Sequence, residues 1–338
     1  MISYAQQEKT AMLPIGFTMR PMVEADIEAV VALLNLCSIA EIGAPDFTVE
    51  QFANELRIPG IAWELDTRVV YSPDGQLVGY QDILPLKEPP VHPLTWGKVH
   101  PDFEGMGIGT ALLIWGEARA RQLMGRAPGD LRVTLRAFAL STHLPTQRLL
   151  RSFGMAPIRY YLQMRIELNE APPVPAWPTG IALRPFDRER DALAVYQALD
   201  EAFSDHWGHQ EQPPEEGFKQ WAHFVFNPEN YDPTLWFIAT DGDEIAGVSR
   251  CHLNLPEDPE LGWVAQLAVR RAWRRRGLAL ALLHHSFDAF YRRGRKRVGL
   301  SVDAENLTGA VRLYACAGMH AIRQYDTYEK ELRAGREA

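Results

Sequence analysis

Hydrophobic and polar residues recur with different periods along the chain, and these periods predict helices and strands. After Gly277, apolar side chains recur at steps of three and four residues, which is typical of an amphipathic helix with one face on a core. These positions are Leu280, Leu283, Phe287 and Phe290. The run WVAQLAV (263–269) predicts a strand before this helix, and RVGLSVD (297–303) predicts one after it. The segment 306–319 predicts another helix, because capping residues stand at its start and Gly318 stands near its end.

The same order of elements occurs twice, so the chain contains an internal repeat. The segment KVHPDFEGMGIGTALL in the first half matches AVRRAWRRRGLALALL in the second, and RLLRSFGM matches RLYACAGM. From Arg20 to Arg184 the offset is 164 residues, and from Gly107 to Gly277 it is 170. Each half predicts a strand, one or two helices, a hairpin, a longer strand, a helix, a strand and a last helix. The expected fold class is therefore α+β, with a mixed sheet in each of two tandem domains.

Proline marks the expected border between the two halves. Residues 169–180, NEAPPVPAWPTG, contain four prolines and cannot join a helix or a central strand. We therefore expect an N-terminal domain at 1–168, a proline-rich linker at 169–180 and a C-terminal domain at 181–334.

Composition restricts the classes of function. The chain has 338 residues, of which 46% are hydrophobic, and it lacks both a long apolar run and a signal peptide, so we expect a cytoplasmic protein without membrane contact. A net charge of -8 argues against nucleic acid as a partner, so any anion site must be local. The three cysteines lie far apart and the histidines show no metal spacing, so no metal is expected.

Positive charge is concentrated at one turn. Arg274, Arg275 and Arg276 stand beside Gly277, where the amphipathic helix begins. A helix start has unpaired N–H groups and a partial positive charge, so it binds anions. A solvated helix start and a nucleic-acid patch are the alternatives, and the repeated context favours a phosphate site. Neither half has a P-loop, and GMGIGT departs from GxGxxG because Thr110 replaces the third glycine.

The turn also resembles a known signature. VRRAWRRRGLALALL resembles the acetyl-CoA pyrophosphate signature Q/R-x-x-G-x-G/A of the GNAT acetyltransferase family, with Arg274, Gly277 and Ala279 on its defining positions. VHPDFEGMGIGTALL resembles the same signature through Gly107 and Gly109, and SVDAENLTGAVRLYACAGM is similar to the closing strand and helix of the family. The chain is identified as a member of the tandem two-domain type, like mycothiol synthases, with a mostly antiparallel twisted sheet flanked by helices in each domain.

The resemblance implies acetyl-CoA as co-substrate and assigns roles to individual residues. The backbone of Leu267 would polarise the thioester carbonyl, and Tyr314 would be the general acid for the departing thiolate. The expected coenzyme contacts in the second half are Leu267, Val269, Arg274, Arg275, Arg276, Gly277, Leu278, Ala279 and Asn306. Those in the first half are Val99, Gly105, Gly107 and Gly109.

The two halves differ at these positions. Leu150 occupies the place of Tyr314, Thr142 that of Asn306, and Glu104 puts a negative charge where Arg274 stands. We therefore expect the second half to be catalytic and the first half to be degenerate.

The general base of the family has no counterpart here. Many members have a glutamate early on the central strand, where this chain has Trp263. A base or a water chain must then come from elsewhere. The candidates are Glu260, Asp303, Asp205 and His206.

These expectations describe an N-acetyltransferase that moves an acetyl group from acetyl-CoA to a primary amine of a small molecule in a ternary complex. An acyl-CoA-binding pseudoenzyme and a transferase for a longer acyl group are the alternatives. The sequence is compatible with a cysteinyl pseudodisaccharide, an aminoglycoside, a polyamine, an amino acid or a protein N-terminus as acceptor, and with a monomer or a homodimer.

Overall fold

The computed structural model describes residues 13–58, 60–226 and 231–337, and the chain forms two compact units. The first unit runs as far as Ile158 and also includes the chain from Asp326 onwards, and the second unit is Arg159–Tyr325. Among the described residues, no helix has both the length and the apolar character needed to cross a membrane.

The first unit contains a mixed sheet and five helices in its described part. Its strands are β1 (Thr18–Arg20), β2 (Thr67–Tyr71), β3 (Leu77–Leu84), β4 (Leu94–Val99) and β5 (Val133–Leu140). Its helices are α1 (Ile27–Ile42), α2 (Val49–Glu55), α3 (Trp63–Asp66), α4 (Ile108–Leu123) and α5 (Leu144–Ser152). The strand order from β1 to β5 follows the chain, and only the β4–β5 pair is parallel among the pairs from β1 to β5.

The second unit repeats this plan. Its sheet has the order β6-β11-β10-β9-β8-β7, and β10 with β11 is the parallel pair. The strands are β6 (Ala156–Glu167), β7 (Ile181–Pro185), β8 (Trp236–Asp241), β9 (Glu244–His252), β10 (Leu261–Val269) and β11 (Arg297–Asp303). The helices are α6 (Arg188–Phe203), α7 (Pro214–Val225), α8 (Leu278–Arg292) and α9 (Ala310–Cys316). The chain then continues into β12 (His320–Arg333), whose end follows β5 in the sheet of the first unit.

The expected fold class is confirmed, since each unit has a mixed, mostly antiparallel sheet with helices. The strand predicted at 297–303 coincides with β11, and the predicted amphipathic helix is α8, in which Leu283, Phe287 and Phe290 are fully buried. The helix predicted within 306–319 is shorter, because Gly309 precedes its first turn in a left-handed conformation.

The units differ from the expected domains at both borders. Strand β6 lies before the proline-rich segment, yet its residues from 161 to 167 pair with β11 along the full length of that strand. The C-terminal part of β12 belongs to the first unit, where Arg132 and Arg136 bind Glu329. Each half of the chain therefore completes its sheet with a strand from the other half.

Helices pack on both faces of the sheet in the second unit. On one face, α8 and α9 cover a core that includes Val264, Leu282 and Tyr314. On the other face, α6 and α7 cover a core that includes Val248 and Ala268. Alternate residues of β9 and β10 thus face different helices, which fixes the side of the sheet on which each polar side chain lies.

Candidate functional site

Strands β10 and β11 separate and leave a gap in the sheet of the second unit. They pair only from Leu261–Arg297 to Trp263–Gly299, although β10 continues to Val269. Beyond this pairing, Ala265 forms a bulge, because Val264 pairs with Cys251 and Gln266 already pairs with Arg250. The remaining part of β10 is therefore held by β9 alone and has one edge open.

Backbone N–H groups of β10 point into this gap. Arg270 donates its N–H to Ala246 O at 3.0 Å on β9, and in an antiparallel ladder the hydrogen-bonding direction alternates from residue to residue. Leu267 and Val269 therefore direct their N–H groups away from β9, towards the open edge. The carbonyl oxygen of Val269 accepts a hydrogen bond from Arg274 Nε at 3.2 Å. The backbone N–H of Val269 is therefore the group that remains available in the gap.

The turn after β10 holds two residues in the left-handed region. Gly277 has φ of 86°, and Arg275 has φ of 65°, a conformation that costs a non-glycine residue roughly 1–2 kcal/mol. The first bond of α8 runs from Ala281 N–H to Gly277 O, so the N–H groups before Ala281 in the first turn have no helical acceptor. This turn is a compact set of backbone donors at a helix N-terminus.

The three arginines of the turn have different partners. Arg274 is bound within the fold, because its Nη1 lies 2.7 Å from Asp205 Oδ2 and its Nη2 donates to Ala202 O at 2.9 Å. Arg275 and Arg276 are exposed and have no ion pair with any described residue. Arg274 therefore ties the turn to the end of α6, whereas Arg275 and Arg276 supply free positive charge.

A cavity of about 650 Å³ joins the turn, the open strand and α9 within the second unit. It is lined by the following predicted residues: Leu267, Val269, Arg274, Arg275, Gly277, Leu278, Ala279, Tyr314, His206 and Asp205. Arg276 and Asn306 do not line it. Phe203, Leu307 and Thr308 also line its wall and were not predicted from the sequence. Their nearness to His206 and Asn306 in the sequence was the available signal.

Tyr314 is a buried phenol at the cavity wall. Its residue exposure is 8%, and burial raises the pKa of the phenol to about 12. No described residue accepts a hydrogen bond from its hydroxyl. The group therefore stays protonated at neutral pH and can donate a hydrogen bond to a bound molecule.

His206 and Asn306 form a fixed pair at the cavity edge. The Asn306 side-chain oxygen accepts the backbone N–H of Thr308 at 2.7 Å and also the Thr308 hydroxyl, so its amide nitrogen faces His206 Nε2 at 3.3 Å. This arrangement makes Nε2 the acceptor and Nδ1 the protonated nitrogen of the ring. Burial is the main cause that lowers the pKa of His206 below its ordinary value of 6.5, so the ring is neutral at pH 7.

The carboxylates proposed as bases are differently placed. Asp205 binds both Arg271 and Arg274, and the hydrogen bond from Arg274 is the main cause that lowers its pKa. Asp303 binds Arg159 Nε at 2.8 Å. Glu260 does not lie at the predicted site. It precedes β10, and its carboxylate lies 3.2 Å from Arg297. The extended strand places it about 20 Å from Leu267. Of the four candidates, only Asp205 and His206 are among the described residues that line the cavity, and His206 is the neutral one of these two.

The first unit has a smaller cavity at the equivalent place. It has a volume of about 310 Å³ and is lined by Val99, Gly105, Gly109, Glu104 and Leu150, but not by Gly107. Gly105 and Gly107 both have positive φ, so the turn follows the same path as the turn at 275–277. Glu104 lies 3.5 Å from His143 Nε2. The first cavity therefore lacks both the arginines and the phenol of the second.

Comparisons with known proteins identify relatives of this chain. The model of the acetyltransferase (GNAT) family matches residues 192–319. A mycothiol acetyltransferase from Thermobispora bispora is 30% identical over 299 residues, which cover 87% of this chain and 92% of that protein. Another protein of the same name, from Renibacterium salmoninarum, is 27% identical, and the match spans 62% of its length.

Solved structures show the same architecture over nearly the whole chain. A GCN5-related N-acetyltransferase from Sphaerobacter thermophilus is 36% identical, with a TM-score of 0.78 and coverage of 97% of this chain and 99% of that chain. A tandem GNAT protein from the clavulanic acid biosynthesis pathway has the same fold, with a TM-score of 0.69 at 17% identity and coverage of 95% and 100%. The chain is therefore an acyltransferase of the GNAT acetyltransferase family, in its tandem form.

Proposed function

We propose that the second unit transfers an acetyl group from acetyl-CoA to a primary amine of a small molecule, by direct attack in a ternary complex. The family uses acetyl-CoA or another acyl-CoA as its donor. One observation carries the proposal: a single cavity connects the free side chain of Arg275 at a helix start, outward N–H groups on β10, and the protonated phenol of Tyr314. These are the groups needed by a diphosphate, a thioester carbonyl and a departing thiolate.

The charged end of the donor fits the turn after β10. The N–H groups at the start of α8 and the side chains of Arg275 and Arg276 would bind the diphosphate through charge-assisted hydrogen bonds. Arg274 lines the same cavity, and it would also position this turn through Asp205 and Ala202. Asn306 likewise acts through His206.

The reacting carbonyl fits the open edge of β10. The N–H of Leu267 would donate a hydrogen bond to the carbonyl oxygen as negative charge develops on it, and such a preorganised donor contributes roughly 3 kcal/mol. The N–H of Val269 lies two residues further along the same edge and would bind the pantetheine arm. The gap between β10 and β11 gives the donor access to both groups.

Two proton movements complete the reaction. The attacking amine forms the C–N bond and loses a proton, and the C–S bond breaks to give the thiol. His206 is neutral, and its Nε2 would take the amine proton, directly or through water, in place of the hydrogen bond from the Asn306 amide. Tyr314 would donate a hydrogen bond to the departing sulfur, and because its pKa is about 12 it keeps its own proton. The stabilised thiolate then takes a proton from solvent to give the thiol.

A thiol-release assay with acetyl-CoA and an amine panel tests this function. The panel includes a mycothiol precursor amine, because relatives carry the name mycothiol acetyltransferase. We expect Tyr314→Phe to lower kcat about 100-fold, since it removes a donor used in the transition state, with unchanged CoA affinity by calorimetry.

The matched variant Leu150→Tyr places a phenol at the equivalent position in the first unit, and we expect no gain in turnover. An unchanged kcat for Tyr314→Phe would remove Tyr314 from the mechanism. Failure of every amine in the panel to release CoA would argue for a different acceptor class or a longer acyl donor.

A further inference from the structure

A buried cation lies on β9, beside the reacting strand of the second unit. Arg250 has a residue exposure of 8%, and it pairs across the sheet with Gln266 of β10 and with Trp236 of β8. Its Nε donates to Gln266 Oε1 at 2.8 Å, and its Nη1 lies 2.6 Å from His252 Nε2. Burial lowers the pKa of His252 to about 3, so the ring is neutral and accepts this bond. The guanidinium is therefore held in one orientation by neutral partners.

No carboxylate balances this charge. Arg250 has no ion pair with any described residue, and burial lowers the pKa of its guanidinium to about 10, so it remains charged at neutral pH. An arginine has five N–H donors, and the two bonds to Gln266 and His252 leave three of them, two on Nη2. A buried charge without a counter-ion is costly. Among the described residues, the two Nη2 donors of Arg250 are thus free to bind an anion.

Further donors next to Arg250 also lack acceptors. The guanidinium carbon lies 5.6 Å from the centre of the Trp236 ring, and the Trp221 ring centre lies 6.0 Å from that of Trp236. The indole N–H groups of Trp236 and Trp221 are both buried and have no partner among the described residues. This part of the α6–α7 face is thus rich in donors and poor in acceptors.

The position of Arg250 relates it to the reaction. Its partner Gln266 precedes Leu267 on β10, and the side chains of Gln266 and Leu267 lie on opposite faces of the strand. Arg250 lies on the same face as Gln266, which α6 and α7 cover. Trp263 pairs with His252, so its side chain lies on the same face. The α8 and α9 face holds Tyr314 and the helix start proposed for the diphosphate. Arg250 therefore lies across β10 from the groups proposed for the donor.

The first unit has the opposite chemistry at the equivalent place. Gly79 of β3 and Gly247 of β9 are equivalent, because each lies against side chains of the helix that follows the turn. Three residues after these glycines, the first unit has Asp82 and the second has Arg250. Asp82 Oδ2 accepts the Tyr80 hydroxyl at 3.1 Å, and burial raises the pKa of this carboxyl to about 8. The first unit therefore has a mostly neutral acid where the second has a lone cation.

We propose that Arg250 binds an anionic group of the acceptor, so that the preferred acceptors are amines that also carry a carboxylate or a phosphate. This inference rests on the proposed acetyl transfer in the second unit. Of the acceptors compatible with the sequence, it favours amino acids and phosphorylated amines over polyamines and aminoglycosides, whose positive charges Arg250 would repel.

Matched acceptor pairs test the inference. Glycine is compared with glycinamide, β-alanine with its amide, and O-phosphoethanolamine with ethanolamine, and kcat/KM is obtained from the acetylated product by mass spectrometry. A bond between an arginine and a carboxylate contributes a preference of about 10- to 100-fold. We expect that preference in the native protein for the carboxylate or the phosphate arm, and the arm that shows it identifies the anion.

Variants connect the preference to Arg250. Arg250→Gln should abolish it, and Arg250→Lys, which keeps the charge but not the planar fork, should keep part of it and serves if the glutamine variant does not fold. Asp82→Asn is the matched control in the first unit and should leave the preference unchanged. Equal kcat/KM for both members of every pair, or a full preference in Arg250→Gln, would overturn the inference.

A binding experiment separates this inference from the proposed function. Calorimetry of glycine, β-alanine and O-phosphoethanolamine with the CoA-bound protein requires no turnover. Binding that depends on Arg250 without acetylation of any amine would support the anion site and reject the proposed function. Acetylation without any preference for the charged acceptors would support the function and reject the anion site.

Discussion

The turns that begin α4 and α8 have the same backbone and opposite chemistry. Both have a left-handed residue at N-cap, Gly107 or Gly277, and another two positions earlier, Gly105 or Arg275. In the second unit the turn carries three arginines, whereas in the first it contains Glu104. At the cavity wall the phenol of Tyr314 has only the isobutyl group of Leu150 as counterpart.

This contrast separates what the fold requires from what the reaction requires. Both units keep the divergence of the parallel strands, since β4 pairs with β5 only at Leu94 and Thr95, just as β10 and β11 pair over three positions. Both units also keep positive φ values at the turn, at Gly105 and Gly107 in the first and at Arg275 and Gly277 in the second. The turn arginines and the phenol at the cavity wall occur only in the second unit, whereas the first cavity is lined by Glu104, His143 and Arg148. The shared backbone is thus a scaffold, and the side chains assign the chemistry.

Charge reversal should give the largest effect. Arg275→Glu combined with Arg276→Glu replaces two favourable contacts to a diphosphate by repulsion, and we expect CoA affinity to fall about 1,000-fold in calorimetry. The matched pair Glu104→Arg with Met106→Arg in the first unit should change the affinity of the native site less than threefold. Equal losses from changes in both units would end the functional distinction between the two turns.

Removal of the imidazole should have the next largest effect. We expect His206→Gln to lower kcat/KM about 100-fold at pH 7, because a positioned base is lost. The pKa of His206 is lowered below 6.5 in the folded protein. The basic form of the ring is present at every pH above this lowered pKa. Activity is therefore lost only when the pH falls through that pKa, below 6.5. Rate profiles from pH 5 to 9 should show this acid limb in the native protein and not in the variant. A limb of the same midpoint in both proteins would assign the base elsewhere.

The smallest effect concerns the strain at Arg275. Arg275→Gly relieves a left-handed non-glycine residue, and after the entropy of the added glycine we expect the free energy of unfolding to rise by about 0.5–1 kcal/mol. The reciprocal Gly105→Arg should lower it by a similar amount. Urea unfolding measures both, and calorimetry should show that the stabilised variant binds CoA more weakly. A more stable variant with full affinity would mean that the strain serves no ligand.

Local patterns predicted the elements that carry the site, but not all partners of its residues. The spacing of apolar residues located α8, and the β-rich run located β11, because both signals lie within a dozen residues. Strands β6 and β12 were not predicted. Strand β6 is held by pairing with β11, whose residues lie more than a hundred positions away in the sequence, and no local period encodes that pairing.

The roles of single charged residues were the least predictable part. The signature placed Arg274 at the cavity, but its partner Asp205 lies 69 residues earlier, and only the fold brings them to 2.7 Å. Arg250 stands within an ordinary strand sequence, and nothing near it marks it as buried without an acid. Glu260 was predicted at the site from its closeness in sequence to β10, while an extended strand separates it from Leu267.

The crossed assignment of β6 and β12 has a consequence for synthesis of the protein. When the ribosome has completed residues 1–168, the first sheet still lacks the end of β12, and the edge of β5 that it will cover stays open. A gene fragment cut at the proline-rich segment would likewise expose the edge of β11 to solvent. The first unit therefore reaches its final form only after the last strand has left the ribosome, although most of its residues are made first.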